Sequence, residues 1–221
     1  MSDAVASPPR VGIATTSGSS GKTTTSVTLA AVMAEQGRRV LLVDTDWQMD
    51  ASRWVGIDET TADEGPTLLD VLRDPAQIVD AVRPSSLAGV DILPASPDLE
   101  AVRTLLAQHM NIEQRLRRAL DRVEERYDVI IIDCRAGTEL PTLAGINAAY
   151  REALALAAER FGDLLLPQVR HSVTVTEAHA QQIPLTAYPR AVAVADDYRA
   201  VAAALIARGV LPAATTATVT A

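Results

Sequence analysis

The chain has 221 residues, of which 48% are hydrophobic, a net charge of −8 and a single cysteine. This length is sufficient for one well-packed domain, and the negative charge argues against non-specific attachment of the whole molecule to nucleic acid. The lone Cys134 excludes an internal disulfide and fits a reducing cytoplasm, and because no apolar run approaches the length of a membrane span, we expect no membrane partner.

Residues 10–25, RVGIATTSGSSGKTTT, have the order of a strand, a phosphate-binding loop and a helix. Such a loop needs small residues, because its backbone N–H groups turn inward on phosphate oxygens. Lys22, the only lysine of the chain, is expected to reach the β- and γ-phosphates, and the Thr23 hydroxyl to hold Mg²⁺. The predicted phosphate-binding residues are Gly18, Ser19, Ser20, Gly21, Lys22, Thr23 and Thr24. Because Thr16 stands where the standard motif has glycine, a Ser/Gly-rich surface turn is the alternative interpretation.

Four short apolar runs alternate with helical patterns, which predicts an α/β fold with a mainly parallel sheet flanked by helices. The predicted strands are Val11–Ala14, Val40–Val43, Val90–Leu93 and Val129–Ile132. Asp44 and Asp46 follow the second run, and Asp133 follows the fourth. Since ligands gather at the carboxyl ends of parallel strands, these carboxylates are expected beside the phosphate loop.

Apolar residues at helical spacing and terminal signals predict the helices of the chain. These are residues 21–36, a short helix from the N-cap Thr67 to Leu72, a long stretch from about Leu99 to Arg126, Ala148–Arg160 and Ala191–Arg208. Residues 47–66 and 172–190 are predicted as mostly loop, and 164–167 as a brief strand. We expect residues 1–9 to form a flexible tail, 10–209 a single P-loop ATPase-like domain, and 210–221 a disordered tail.

Several runs, in this order, resemble the ParA family of partition ATPases, within the ParA/MinD group of P-loop proteins that carry a deviant Walker A loop. They include TTSGSSGKTTTSVTLA, VLLVDTDWQMDAS, VDILPASPDLEAV and YDVIIIDCRAG, and the resemblance covers residues 10–208. It implies ATP and Mg²⁺ as cofactors and Lys22 and Asp44 as catalytic residues, with Asp44 positioning or activating the attacking water. It also implies that Asp133 completes the metal shell with Thr23, partly through water.

The resemblance further implies a role in plasmid or chromosome partitioning. In that family ATP closes a homodimer, the dimer binds DNA without sequence preference, and a ParB-like partner stimulates hydrolysis. Basic residues of the C-terminal part contact the DNA, and the matching stretch of this chain offers Arg170, His171 and Arg190.

The chain departs from the family pattern at three places. Ser17 stands where the family has a signature lysine that reaches the partner's nucleotide, and Trp47 replaces a proline. Two strands with their helices are missing after Tyr150, which at about 30 residues per βαβ unit is roughly 60 residues and leaves the edge of the phosphate-loop strand open. Because an internal deletion of this size could remove activity, the first alternative is a degenerate, non-enzymatic remnant. Such a remnant would bind nucleotide weakly or have an interaction role only. A MinD-like membrane regulator is the second, and it predicts a basic C-terminal amphipathic helix.

Overall fold

The computed structural model describes residues 7–14, 21–99, 112–134 and 166–213. Several predictions lie outside these ranges. They concern the phosphate-loop residues Ser17, Gly18, Ser19 and Ser20, the helix Ala148–Arg160, and the stretch around Tyr150 where the family carries two further strands.

A five-stranded sheet in the order β1-β5-β2-β4-β3 forms the centre of the described structure. Its strands are β1 (Arg10–Ile13), β2 (Val40–Asp44), β3 (Arg83–Pro84), β4 (Val90–Leu93) and β5 (Val129–Asp133). The first, second, fourth and fifth strands pair in parallel, which confirms the predicted fold class and all four predicted strands. The two-residue β3 pairs antiparallel with β4 and is too short to give a period-2 signal.

Helices cover both faces of this sheet. They are α1 (Lys22–Glu35), α2 (Asp50–Trp54), α3 (Glu59–Ala62), α4 (Leu68–Arg73), α5 (Ile78–Ala81), α6 (Ile112–Leu120), α7 (Val173–Ala180) and α8 (Val192–Ala207), with 3₁₀ turns at Pro75–Gln77, Glu124–Arg126 and Pro189–Ala191. None of the helices in the described ranges is long and apolar enough to span a membrane.

The alternation of side chains along β2 explains why the strand is buried on both faces. Val40 and Leu42 belong to a core cluster that includes buried residues of α1 and α8. Leu41 and Val43 belong to a second cluster on the other face, formed with α4, α5 and α6. A continuous apolar run is what a parallel strand between two helical layers requires, so the run at Val40–Val43 was a reliable signal.

Two predicted loop regions contain helices, and the loop predictions there are wrong. Within residues 47–66, α2 follows Met49, which is fully buried and has a left-handed φ of 57°, so no side-chain cap marks the start of this helix. Within residues 172–190, α7 begins after Ser172, whose hydroxyl accepts a hydrogen bond from the Thr174 N–H. Its valines and threonines favour strand, and packing overrides that weak preference.

Other predicted boundaries hold with small shifts. Thr67 caps α4 in a capping box with Asp70, and Gly37, with a φ of +79°, ends α1. The helix predicted to extend from Leu99 to Arg126 ends at Leu120 in the structure, as α6. The packed part of the chain continues past the predicted boundary at residue 209, because Leu211 is only 3% exposed in the core.

Within the described ranges, β1 pairs only with β5 and forms one end of the sheet. Val11 and Ile13 are partly buried against the core cluster of α1 and α8. Among the described strands, the phosphate-loop strand is therefore the outermost one. The loss of two further strands concerns residues outside the described ranges and stays a prediction.

Candidate nucleotide-binding site

The first turn of α1 lies where the carboxyl ends of β1 and β5 meet. Gly21 precedes it with a φ of +80°, a left-handed conformation that glycine adopts without strain. Lys22 follows as the first helical residue and is only 9% exposed, while Thr23 and Thr24 are half-buried. Free backbone N–H groups and the positive end of the helix dipole make such a turn suitable for anionic phosphates.

Asp133 ends β5 directly beside this turn and receives two hydroxyl hydrogen bonds. Thr23 Oγ1 donates to Oδ2 at 2.8 Å, and Ser26 Oγ donates to Oδ1 at 2.7 Å. Burial raises the pKa of Asp133, while the two hydroxyls and the nearby Lys22 charge oppose that rise. The structure thus brings together three of the predicted residues: Lys22, Thr23 and Asp133.

Asp44 ends the neighbouring strand, in register with Asp133, and is fully buried. Its Oδ2 accepts from the Ser52 N–H at 2.9 Å and from Ser52 Oγ at 2.7 Å, and its Oδ1 accepts from the Asp46 N–H at 3.0 Å. Ser52 Oγ also accepts from the Ala95 N–H at 3.2 Å, which connects the ends of β2 and β4. Burial raises the pKa of Asp44 to about 7. In this arrangement Asp44 holds the backbone around the site, and its role with the attacking water stays a prediction.

Asp46 lies two residues after the end of β2 and, unlike Asp44 and Asp133, is partly open to solvent. It is half-buried, its Oδ1 accepts from the Gln48 N–H at 3.1 Å, and its charge contributes to the raised pKa of Asp133. Sequence reasoning named Asp46 but assigned it no role. Trp47, which replaces the family proline, is half-buried next to it.

The side chains at this site suit Mg²⁺. Magnesium binds hard oxygen ligands and is usually held by one or two carboxylates together with substrate phosphates. Thr23 and Asp133 supply a hydroxyl and a carboxylate, and Asp46 adds a second carboxylate nearby. In the described ranges no cluster of three His, Cys, Asp or Glu residues forms a metal site by itself.

Two serines complete the site and were missed as site residues by the sequence analysis. Ser26 is three residues after Thr23, so both hydroxyls lie on one face of α1. This i,i+3 spacing was readable in the sequence. The contact of Ser52 with Asp44 depends on the turn before α2, and no sequence signal marked it.

The predicted DNA-contacting residues lie in the C-terminal region, where both arginines are paired with carboxylates. Arg170 Nε lies 2.6 Å from a carboxylate oxygen of Asp197, and Arg190 NH1 lies 3.0 Å from one of Glu177. His171 is exposed. The two arginines therefore contribute less net positive charge to this surface than their number indicates.

Comparison with known proteins agrees with this geometry. A family model described as an AAA domain matches residues 10–180. The sporulation initiation inhibitor protein Soj of Bacillus subtilis is 34% identical over 169 residues, which cover 76% of this chain and 66% of that protein. The chromosome partitioning protein ParA of Caulobacter vibrioides is 36% identical over 171 residues, which cover 76% of this chain and 63% of that protein. The chain thus spans just under two thirds of the length of these relatives.

Solved structures with the same fold include nucleotide complexes. The septum site-determining protein MinD of Pyrococcus horikoshii, complexed with Mg-ADP, superposes with a TM-score of 0.67 at 24% identity, over 88% of this chain and 94% of that one. Cobyrinic acid a,c-diamide synthase of Mycobacterium smegmatis, with an ATP analogue and magnesium, has a TM-score of 0.63 at 24% identity, over 91% and 96% of the two chains. The family match, the identity to Soj and ParA, and the shared fold together show that this chain belongs to the ParA/MinD family of P-loop ATPases.

Proposed function

We propose that the chain is a ParA-like partition ATPase that binds ATP with Mg²⁺ and hydrolyses it slowly. The observation that carries this proposal is the meeting of Lys22, Thr23 and Asp133 where the first turn of α1 touches the end of β5. When bound, Mg²⁺ would neutralise phosphate charge and orient the nucleotide. Further parts of the proposal are an ATP-dependent homodimer, non-specific DNA binding and stimulation by a ParB-like partner in plasmid or chromosome partitioning.

The roles proposed for the chain's own residues rest on their positions at the first turn of α1 and at the carboxyl ends of β2 and β5. Lys22 and the backbone N–H groups at the start of α1 bind and orient the phosphates. Thr23 and Asp133 hold the metal. For positioning the attacking water we propose Asp46 in place of the sequence-predicted Asp44, because Asp46 is half-exposed, whereas both oxygens of Asp44 are engaged by protein N–H and O–H groups.

Asp46→Asn should leave ATP affinity within about threefold of wild type and reduce turnover about 10²- to 10⁴-fold, the usual contribution of a positioned general base. Binding of a fluorescent ATP analogue and phosphate release by the purified chain measure the two effects. Asp50→Asn is the matched control, since Asp50 is a half-exposed carboxylate four residues away. If a folded Asp44→Asn variant loses turnover while Asp46→Asn keeps it, Asp44 and not Asp46 positions the attacking water.

DNA binding should be weak, independent of sequence, favoured by ATP and confined to low salt, because the chain carries a net charge of −8. Replacing both Arg170 and Arg190 by Ala should weaken binding equally on unrelated duplexes and flatten the salt slope by about 2. Filter retention at several salt concentrations measures this effect.

The carboxylates that pair with these arginines provide the opposite test. Asp197→Asn with Glu177→Gln leaves Arg170 and Arg190 unpaired, so this double variant should bind DNA more tightly than wild type. If the wild-type chain with ATP retains no DNA even at low ionic strength, the DNA-binding part of the proposal fails.

The second candidate function is a non-enzymatic remnant of the family. It is supported by Ser17 at the signature lysine position and by the stretches that match Soj and ParA, which cover only 66% and 63% of those proteins. A purified chain that binds partner proteins but neither binds nor hydrolyses ATP would establish this function instead.

A further inference from the structure

Asp133 is held from both sides by hydroxyl groups of one helix. Oδ2 accepts from Thr23 at 2.8 Å and Oδ1 accepts from Ser26 at 2.7 Å, so each carboxylate oxygen has its own donor. The side chain of Asp133 is 1% exposed. A carboxylate in this position gets little help from water, and these two hydroxyls fix its rotation about the Cβ–Cγ bond.

The two donors differ in what else they can reach. Thr23 is half-buried in the first turn of α1, at the start of the predicted phosphate site. Ser26 lies almost one turn further along the helix and is 0% exposed, so its side chain cannot contact a bound nucleotide. Ser26 can therefore act on the site only indirectly, through the groups that its hydroxyl contacts.

The hydroxyl of Ser26 has two acceptors within reach but only one proton. Its Oγ lies 2.7 Å from Asp133 Oδ1 and 3.1 Å from the Lys22 carbonyl oxygen. A hydrogen bond to a charged acceptor is the shorter and stronger one, so the proton goes to the carboxylate. Without this donor, a buried carboxylate oxygen would have no partner, and the fixed orientation that presents Asp133 to the metal would be lost.

We infer that Ser26 is a positioning residue for magnesium, which keeps Asp133 in the orientation that holds the ion beside Thr23. This inference rests on the proposed function, since it concerns the metal of the same nucleotide site. Groups behind a metal ligand orient that ligand, and their loss typically lowers metal affinity about 10- to 100-fold. Phosphate binding uses the Lys22 ammonium and the backbone N–H groups and none of the Asp133 oxygens, so we expect nucleotide affinity without metal to be insensitive to Ser26.

Ser26→Ala tests the inference through a magnesium titration. Binding of a fluorescent ATP analogue is followed while MgCl₂ is added to the full chain, and nucleotide affinity is measured separately in EDTA. The variant should need about 10- to 100-fold more Mg²⁺ for the half-maximal change, with affinity in EDTA within about twofold of wild type. A purely structural role would weaken binding equally with and without metal, and that result would overturn the inference.

Two further variants separate the hydrogen bond from packing. Ser26→Cys fills the space with a weak donor, so it should show the same shift in Mg²⁺ requirement and covers the case in which alanine fails to fold. Thr28→Val is the matched control, because Thr28 is a 0% exposed residue of the same helix whose hydroxyl has no hydrogen-bond partner among the described residues, and it should behave like wild type.

The outcomes distinguish this inference from the proposed function. If wild type binds the nucleotide with a clear Mg²⁺ requirement and both Ser26 variants have the same midpoint in the Mg²⁺ titration, only the role of Ser26 is overturned. If wild type binds no nucleotide with or without Mg²⁺, the proposed ATPase function itself fails, and the role of Ser26 fails with it.

Discussion

Replacing Lys22 by alanine should lower ATP affinity about 10- to 100-fold, since a charge-assisted hydrogen bond contributes about 1.5–3 kcal/mol and each 1.4 kcal/mol is tenfold in affinity. Lys22 is the only lysine of the chain and is 9% exposed at the first turn of α1. Its loss leaves the phosphates with only backbone N–H groups and the helix dipole. Equilibrium binding of a fluorescent ATP analogue, with and without Mg²⁺, measures this loss.

Controls separate the charge of Lys22 from its packing. Lys22→Met keeps most of the aliphatic stem and removes the ammonium, so it should lose affinity like Lys22→Ala. Arg117→Ala removes an exposed cation of α6 and should leave affinity unchanged. Unlike the Ser26 variants, the Lys22 variants should lose affinity in EDTA as well. Equal affinity of wild type and both Lys22 variants would show that the first turn of α1 is not a phosphate site.

Asp44 should make the protein less stable as pH rises from about 4 to about 7. Burial is the chief cause that raises its pKa from the ordinary value of 3.8 to about 7 in the folded state. Between these values the folded state binds more protons than the unfolded state, so its stabilising contribution is complete below pH 3.8 and is lost as pH rises towards 7. One such group gives a slope of at most about 1.4 kcal/mol per pH unit in the free energy of unfolding.

Urea unfolding between pH 5 and 7.5 measures this slope. Asp44→Asn cannot ionise, so its unfolding free energy should fall less steeply with pH than that of wild type. Carboxylates with lowered pKa values, such as Asp128 and Asp197, titrate below this range and do not mask the effect. Asp98→Asn, at an exposed carboxylate, should keep the wild-type slope. Parallel pH profiles for wild type and Asp44→Asn would contradict a buried, proton-binding Asp44.

The buried parallel strands could be predicted from the sequence because their signal is local. A strand covered on both faces needs an unbroken apolar run, and the runs at Val40–Val43 and Val129–Ile132 have no other simple explanation. The short helices α2 and α7 could not be predicted in the same way. They pack against each other across a long separation in the chain: the ring of Trp54 in α2 contacts that of His179 in α7, with 4.6 Å between the ring centroids.

The C-terminal arginines show a different limit of sequence reasoning. Arg170 and Asp197 are 27 residues apart, so their ion pair cannot be read from a local pattern. A sequence shows how many cations a segment has, but the field at a surface depends on which carboxylates fold against them. The folded protein therefore gives less support for a basic DNA-contacting surface than the count of arginines in the sequence does.

The sequence by itself determined the family, the parallel sheet and the placement of Lys22, Thr23 and the strand-terminal aspartates at one edge. It could do so because motif spacing and apolar runs are local, and parallel strands bring their carboxyl ends together. Only the tertiary structure decided that Asp44 is enclosed by Ser52, that Asp46 is open to solvent, and that Ser26 holds Asp133. Burial and hydrogen-bond partners decide the chemistry of a carboxylate, and both depend on residues that the fold brings together from distant parts of the chain.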